Sequence, residues 1–301
     1  MNEMKITVVI VTIGGSRLLD RCLTAIASGA RKPDEVVLVD QSSAPSDSGA
    51  AILAAAGIAF QRVAMPPTGV SPARNRGVAA ATGDVLAFTD DDCVPAEGWL
   101  SALAAAVETG EVEATTGRVL PLDEGVPGLV AVSSRTDTRR RVFLGGRDYP
   151  PWEIGTGGNL LIGRDTFETL GGFSSEFGPG ARFRTAEDIE FLDRVVASGR
   201  SIRYEPDAVV HHEMKPPSGR MARRIPYGFG MGAMMARLPS SRRWRVRKLY
   251  AQMQLRSLAA ALRHLRIRRV VETVLMLSGA VAGSLAGRGG RGGEDQAPIS
   301  R

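Results

Sequence analysis

Residues 86–95, LAFTDDDCVP, put three carboxylates in a row straight after an apolar run. Asp90, Asp91 and Asp92 repel one another, and like charges held close raise carboxyl pKa values unless something positive lies between them. A divalent cation is one solution, since Mg2+ takes one or two carboxylates together with phosphate oxygens of a substrate. An acidic turn capping a helix near Pro95 is another, because negative charge suits a helix N-terminus. The triplet alone fits both. A second acidic pair, Glu187–Asp188, opens a helical stretch after Thr185. A carboxylate there can take the proton of an attacking hydroxyl, or it can simply complement the helix dipole. His211 and His212 follow an apolar run. Neutral imidazole is a good metal ligand, but alternation along a strand turns only one of the two towards a given face. Gly155, Gly157 and Gly158, before Asn159, permit close backbone approach to a ligand or merely a turn. Trp152, after two prolines, offers a face for a sugar ring or for packing.

Such groups act together only if the elements around them converge. KITVVIVTI (5–13) is β-branched and unbroken, as a strand buried on both faces is. It is too short and lacks the cleavage-like site of a signal peptide. A helical stretch from about Ser16 to Ser28 follows, then EVVLVD (35–40), an Ala-rich helix over 50–56 and a third strand, GIAFQRV (57–63). Ser71 to Ala81 reads as a helix with Ser71 as N-cap and Pro72 at its first position. DVLAFT (84–89) is the fourth strand, Pro95 to Glu108 is helical and EATTGRV (113–119) is extended. This alternation predicts βαβ units and a parallel sheet, and ligands bind at the carboxyl ends of such strands. Asp40 ends one strand and the aspartate triplet follows another, so both point to one crevice.

The composition, 44% hydrophobic and 23% charged in 301 residues, is that of a globular protein. Cys22 and Cys93 lie far apart, which argues against a disulfide framework or a CxxC zinc site and fits a reducing cytoplasm. The net charge of +6 hides an asymmetry: residues 220–269 hold fourteen Arg or Lys and no acid, whereas residues 1–219 hold 21 basic and 29 acidic residues. An acidic body therefore carries a basic C-terminal segment.

The set VVIVT (8–12), VLVDQSS (37–43), ARNRGVAAATGDVLAFTDDD (73–92), GGNLLIGRDTFETLGGFSSEF (157–177) and AEDIEFLDRV (186–195) resembles the family 2 glycosyltransferases, inverting enzymes of GT-A fold. The likeness runs over roughly residues 5–217, with the pieces in the family's order. It implies an α/β fold with a Rossmann-like nucleotide-binding sheet flanked by helices, followed here by a basic helical segment. It implies a nucleoside-diphosphate sugar donor, an acceptor hydroxyl and Mn2+ or Mg2+. It places Thr12 near the nucleotide, Asp40 on the nucleobase and Arg74 beside the base or phosphates. Asp90 and Asp92 match the DxD signature, Asp90 towards the ribose and Asp92 on the metal, with Asp91 at the variable position. Glu187–Asp188 match the ED pair, with Asp188 as catalytic base. Arg194 matches a basic residue one helical segment later. Of the two histidines, His211 aligns better with the family's metal or diphosphate ligand. The first-strand motif departs from the family's T-Y-N: it reads Thr12-Ile13-Gly14, without a ring to pack on the base.

In residues 242–269, Leu255, Leu258, Leu262 and Leu265 recur at helical spacing, with Arg256, Arg263 and Arg266 largely elsewhere on the wheel. That pattern suits an anionic membrane surface. Scarce aromatics and the lack of a recognisable module argue against nucleic acid. VVETVLMLSGAVAGSLAG (270–287) carries Glu272 and falls short of the ~20 apolar residues of a span, so a peripheral or re-entrant segment is expected. The sequence thus divides into a donor-binding half (1–118), an acceptor and catalytic half (119–217), a membrane-associating segment (218–287) and a disordered tail (288–301). The expected setting is the cytoplasmic face of the cell membrane, and the membrane-leaning tail favours a lipid-linked or cell-envelope acceptor. Two rivals stand beside this reading. One is a sugar-nucleotide pyrophosphorylase, hinted at by IGGSRL (13–18); the other is a membrane-tethered nucleotide-sugar binder without catalysis.

Overall fold

The computed structural model describes residues 4–14, 18–43, 48–123, 126–131 and 133–289. Four parallel strands form one half of the sheet in the order β3 (Ala59–Ala64), β2 (Glu35–Asp40), β1 (Ile6–Thr12), β4 (Val85–Asp90). The second half adds β8 (Asn159–Gly163), antiparallel to β4, then β6 (Ala114–Pro121), β9 (Ile202–His212) and the short β5 (Cys93–Pro95); β7 (Arg141–Phe143) also pairs with β9. β2 is buried along its whole length, and β1 at all but one residue, as strands covered on both faces must be. The register sets Thr12 opposite Asp40 and Val11 opposite Asp90, so three strands deliver their ends to one edge.

Helices cover both faces. α1 (Leu19–Ser28) and α4 (Trp99–Glu108) bury Leu23, Ile26 and Leu103 against Ile6, Val8 and Ile10. On the other face, Phe88 of β4 packs with Phe167, Phe173 and Phe191, the last carried by α6 (Glu187–Ala197). α2 (Ser48–Ala55) lies near the outer strand, α3 (Val70–Ala80) packs on β1 and β2, and α5 (Arg164–Thr169) follows β8. The expected order of strands and helices is found, but the sheet is mixed rather than parallel, because β8, β5 and β7 pair antiparallel with their neighbours, and two helix starts differ. The helix expected from Pro95 begins at Trp99, because Cys93–Pro95 is taken into the sheet as β5, with Cys93 opposite His212. The helix expected to be capped by Ser71 is capped two residues earlier, by Gly69, whose φ of 103° suits glycine. Ser71 lies inside it and donates its hydroxyl to the Phe177 carbonyl at 2.9 Å.

The basic segment folds as α7 (Pro217–Ala222), α8 (Arg224–Arg237), α9 (Ser240–Arg263) and α10 (Ile267–Ala286). α8 and α10 meet backbone to backbone. A Cβ on Gly232 would lie 2.0 Å from the Ala280 oxygen, and one on Gly283 would lie 1.9 Å from the Phe229 oxygen. α8 and α9 also join the body: Met231, Met234, Val246 and Tyr250 pack with Phe177 and Phe183. Arg242 pairs with Asp148 and Asp193, each at 2.8 Å, and Arg237 with Glu176. α10 is 20 residues long and apolar enough to cross a membrane by length and composition, more than the sequence count suggested, because the helix starts at Ile267. Of the tail expected to be disordered, residues 290–301 lie outside the described residues.

Candidate active site

The strand ends open into a cavity of about 660 Å³. Asp90, Asp91 and Asp92 line it from the sheet edge, and Glu187 and Asp188 line it from the first turn of α6. Arg74 reaches it from α3, so residues that are more than 100 positions apart in the chain share one wall.

Each carboxylate of the triplet has a different partner. Asp90 pairs with Arg74 at 2.6 Å. Asp91 Oδ2 accepts the Thr12 hydroxyl at 2.6 Å. Burial pushes the Asp91 carboxyl up to about 6; the Thr12 hydroxyl opposes this, and the neighbouring Asp92 and Asp90 add to it. Asp92 lies 3.6 Å from His212 Nε2 and 3.7 Å from Lys215 Nζ. Arg74 is only 3% exposed. Burial alone would lower its pKa, but Asp90, Glu187 and Asp188 outweigh that and raise it. Its Nη1 lies 3.7 Å from Glu187 and makes no hydrogen bond, and the guanidinium stands 5.3 Å from the centre of the Phe173 ring.

The two acids of α6 are not equivalent. Glu187 is pushed well above the carboxylate range, first by burial and then by the charge of Asp188, with Arg74 pulling the other way. Asp188 instead accepts two backbone N–H groups, from Gly157 at 3.0 Å on Oδ2 and from Ile189 at 2.8 Å on Oδ1. A raised Glu187 carboxyl lessens the cost of burying two acids side by side. The glycine run explains how the loop comes so near. A Cβ on Gly157 would lie 2.7 Å from Arg74 Nη1, and one on Gly158 would lie 2.4 Å from Asp90 Oδ2.

Other candidates fall outside the cavity. Asp40 is buried at the end of β2, and its Oδ1 accepts the Ser42 N–H at 2.9 Å. The cavity instead takes the next residue, Gln41, whose Oε1 accepts the N–H groups of Thr68 and Gly69 at 2.8 and 3.2 Å. His211 does not line the cavity; His212 does, because strand alternation turns successive side chains to opposite faces and His212 sits opposite Cys93. This corrects the alignment-based choice. Arg194 donates to the Leu170 and Gly172 carbonyls and pairs with Glu190 at 2.8 Å, which ties α6 to the preceding loop. Asn159 accepts from Trp99 Nε1 and donates to two carbonyls, a buried structural role. Trp152 packs edge-on against Tyr250 at 5.5 Å. Ile13 lines the cavity and is 74% exposed, in the place where the family's ring would stand. The sequence reading missed Gln41, Arg184, Arg223 and Tyr227 on the cavity wall. Gln41 was within reach of a period-two argument from Asp40; the others depend on how α8 folds back.

Asp92, Cys93 and His212 present ligand atoms within 4.8 Å of one another. A carboxylate and an imidazole fit a divalent ion with affinity for oxygen and nitrogen. The Cys93 thiol does not, because burial first and then Asp90 and Asp92 push its pKa well up and keep it neutral.

The chain matches the family model for glycosyl transferase family 2 over residues 7–170 and belongs to that family, with a GT-A fold. It is 30% identical over 180 residues to the pre-mycofactocin glycosyltransferase of Mycobacterium tuberculosis, covering 57% of this chain and 36% of the relative, so it spans about a third of that protein's length. It is 22% identical over 232 residues to the glycosyltransferase AglE of Haloferax volcanii, covering 75% and 72% of the two chains. The fold resembles the mannosyltransferase PcManGT from Pyrobaculum calidifontis in complex with GDP-Man and Mn2+, with a TM-score of 0.62, 21% identity and coverage of 94% and 87%.

Proposed function

We propose that the chain transfers a sugar from a nucleoside-diphosphate donor to an acceptor hydroxyl with inversion, aided by a divalent cation, at an anionic membrane surface in cell-envelope glycan synthesis. The convergence of Asp188, the aspartate triplet and Arg74 on one cavity carries this reading. Asp188 takes the acceptor proton as general base, held in aim by the Gly157 and Ile189 N–H groups. Burial favours the protonated form of Glu187, which makes it the weaker candidate for the base. Gln41, on the cavity wall with the buried Asp40 behind it, serves the base of the nucleotide, Asp90 its ribose, and Thr12 supports Asp91. Asp92 and His212 would hold Mn2+ or Mg2+, which supplies charge stabilisation for the departing diphosphate. Arg74 offsets the acidic cluster through Asp90 and Glu187. Outside the cavity, Leu255, Leu262, Leu265 and Ile267 are exposed by 57, 57, 86 and 76%, beside arginines, which suits an anionic bilayer at the inner face of the cell membrane.

The test is incubation with UDP-, GDP- and dTDP-sugars and Mn2+. One donor should release its free nucleoside diphosphate, and Asp92→Ala should lose metal-dependent binding of that nucleotide. Formation of a nucleoside triphosphate from added pyrophosphate would instead indicate a pyrophosphorylase, and no turnover with retained binding would indicate a non-catalytic binder.

A further inference from the structure

One wall of the cavity carries two cations that none of its carboxylates takes up. Arg184 lies just before α6 and Arg223 just before α8; both line the cavity, and neither forms an ion pair with a described residue. The other cations nearby are engaged, Arg74 with Asp90 and Glu187, and Lys215 with Asp92 and Glu213. Arg184 and Arg223 belong to one lip. The Thr185 hydroxyl donates to the Pro226 carbonyl at 3.0 Å, and a Cβ on Gly230 would lie 2.2 Å from Thr185 Oγ1. The guanidinium of Arg184 stands 5.9 Å from the centre of the Phe229 ring, on α8. Arg184 and Ala186 hold φ of 64° and 71°, a conformation that non-glycine residues keep only where the surroundings fix it. The lip is therefore a built feature, and it adjoins Asp188.

We propose that Arg184 and Arg223 bind an anionic group of the acceptor, which is then a hydroxyl compound carrying a phosphate or carboxylate near its reacting oxygen. Guanidinium groups match such oxyanions with forked donors. The inference rests on the transfer reading above. In an inverting transfer the acceptor oxygen bonds to the anomeric carbon as the bond from that carbon to the diphosphate oxygen breaks. The electron pair leaves with the diphosphate, and the acceptor proton passes to Asp188. Acceptor and leaving group lie on opposite sides of the carbon, so an anion bound on the lip beside Asp188 belongs to the acceptor. The arginines move no proton; they hold the acceptor in place.

Inorganic phosphate is the probe, titrated calorimetrically into the full chain at fixed ionic strength. The nucleotide site is filled with Mg2+ and whichever of UDP, GDP or dTDP the donor screen returns. Phosphate should bind the loaded wild type, and the double variant Arg184→Gln/Arg223→Gln should lose about tenfold or more of that affinity. Its nucleotide affinity and melting temperature should stay unchanged. Equal phosphate affinity in wild type and variant overturns the proposal. So does phosphate that competes with the nucleotide while the variant weakens nucleotide binding, since the arginines would then serve the donor's diphosphate. A wild type that binds none of the nucleotides removes the transfer reading itself.

Discussion

At the sheet edge the acids of the site meet partners from distant elements: Thr12 for Asp91, Arg74 for Asp90, the Gly157 N–H for Asp188. Along α9 and the turn into α10, Arg256, Arg263, Arg266 and Arg269 have no acidic partner among the described residues and stand among exposed leucines. Charge in the first region is neutralised inwards, at fixed geometry. Charge in the second is left facing outwards. Preorganised groups suit chemistry, because no reorganisation is needed as charge develops. Loose groups on an amphipathic face suit a soft, sequence-blind surface such as a bilayer. The basic segment contains both kinds: Arg237 and Arg242 are tied to Glu176, Asp148 and Asp193, so the helices are docked on the body rather than trailing from it.

The largest expected effect separates the regions most sharply. Asp188→Asn keeps the shape of the acid and can keep one of its two backbone hydrogen bonds, through the amide oxygen, but removes its basicity. Transfer should fall by roughly 10²–10⁴, the usual range for a lost general base, with donor affinity intact in calorimetry and vesicle binding unchanged. Near-normal turnover would shift the role of base to Glu187.

The next effect tests the joint between the regions. An exposed helical Gly→Ala change ordinarily stabilises by up to ~1 kcal/mol. The pair Gly232→Ala/Gly283→Ala should do the opposite, because each new Cβ meets a carbonyl of the facing helix at 2.0 Å or less. Overpacking costs typically ~1–3 kcal/mol per site, so urea unfolding should show a loss of about 2–5 kcal/mol. Increased stability in the pair would mean that α8 and α10 do not touch.

Glu187 gives a pH-dependent test. Its carboxyl is raised in the folded chain by burial and by Asp188. The stabilisation that comes from keeping it protonated is complete below the unfolded value of ~4.3 and is lost as pH rises through the folded value. Glu187→Gln should therefore be more stable than wild type at alkaline pH by on the order of 1–3 kcal/mol, with the gain gone at pH 4. A gain that persisted at pH 4 would remove the buried charge as its cause.

Much of the first region was legible in the sequence because strands are periodic. Asp40 and Asp90 were placed at one edge by the alternation of strands and helices, and the register sets both at the ends of strands beside β1. The choice between His211 and His212 was not legible, since it turns on the pairing of β9 with a three-residue strand that carries little signal of its own. The start of α4 was misplaced for the same reason. Arg223 and Tyr227 escaped because the sequence analysis separated the basic segment from the body by charge. The contact that returns α8 to the cavity joins the methionines of α8 to Phe177 and Phe183, with Gly230 against Thr185 and Arg237 on Glu176, a mixture that charge counting passes over.

The smallest expected effect concerns the outward-facing charge. Arg263 is exposed on α9, between Leu262 and Leu265, and has no ion pair with a described residue. Arg263→Gln therefore changes little in the fold, and its melting temperature should match wild type. Each basic residue near an anionic leaflet contributes about 1 kcal/mol, which corresponds to a roughly fivefold weaker partition onto vesicles containing phosphatidylserine. The interaction is screened with a Debye length of about 10 Å at 0.1 M salt, so the gap between variant and wild type should narrow as salt is raised. On neutral vesicles the two proteins should bind alike and weakly, through the exposed Leu262, Leu265 and Ile267. Leu265→Ser should lower binding to both kinds of vesicle, since apolar burial does not depend on lipid charge. Co-sedimentation separates these cases. If wild type stays in the supernatant with anionic vesicles at low salt, the outward face of α9 and α10 serves another partner, and the contrast between the two regions is one of burial alone.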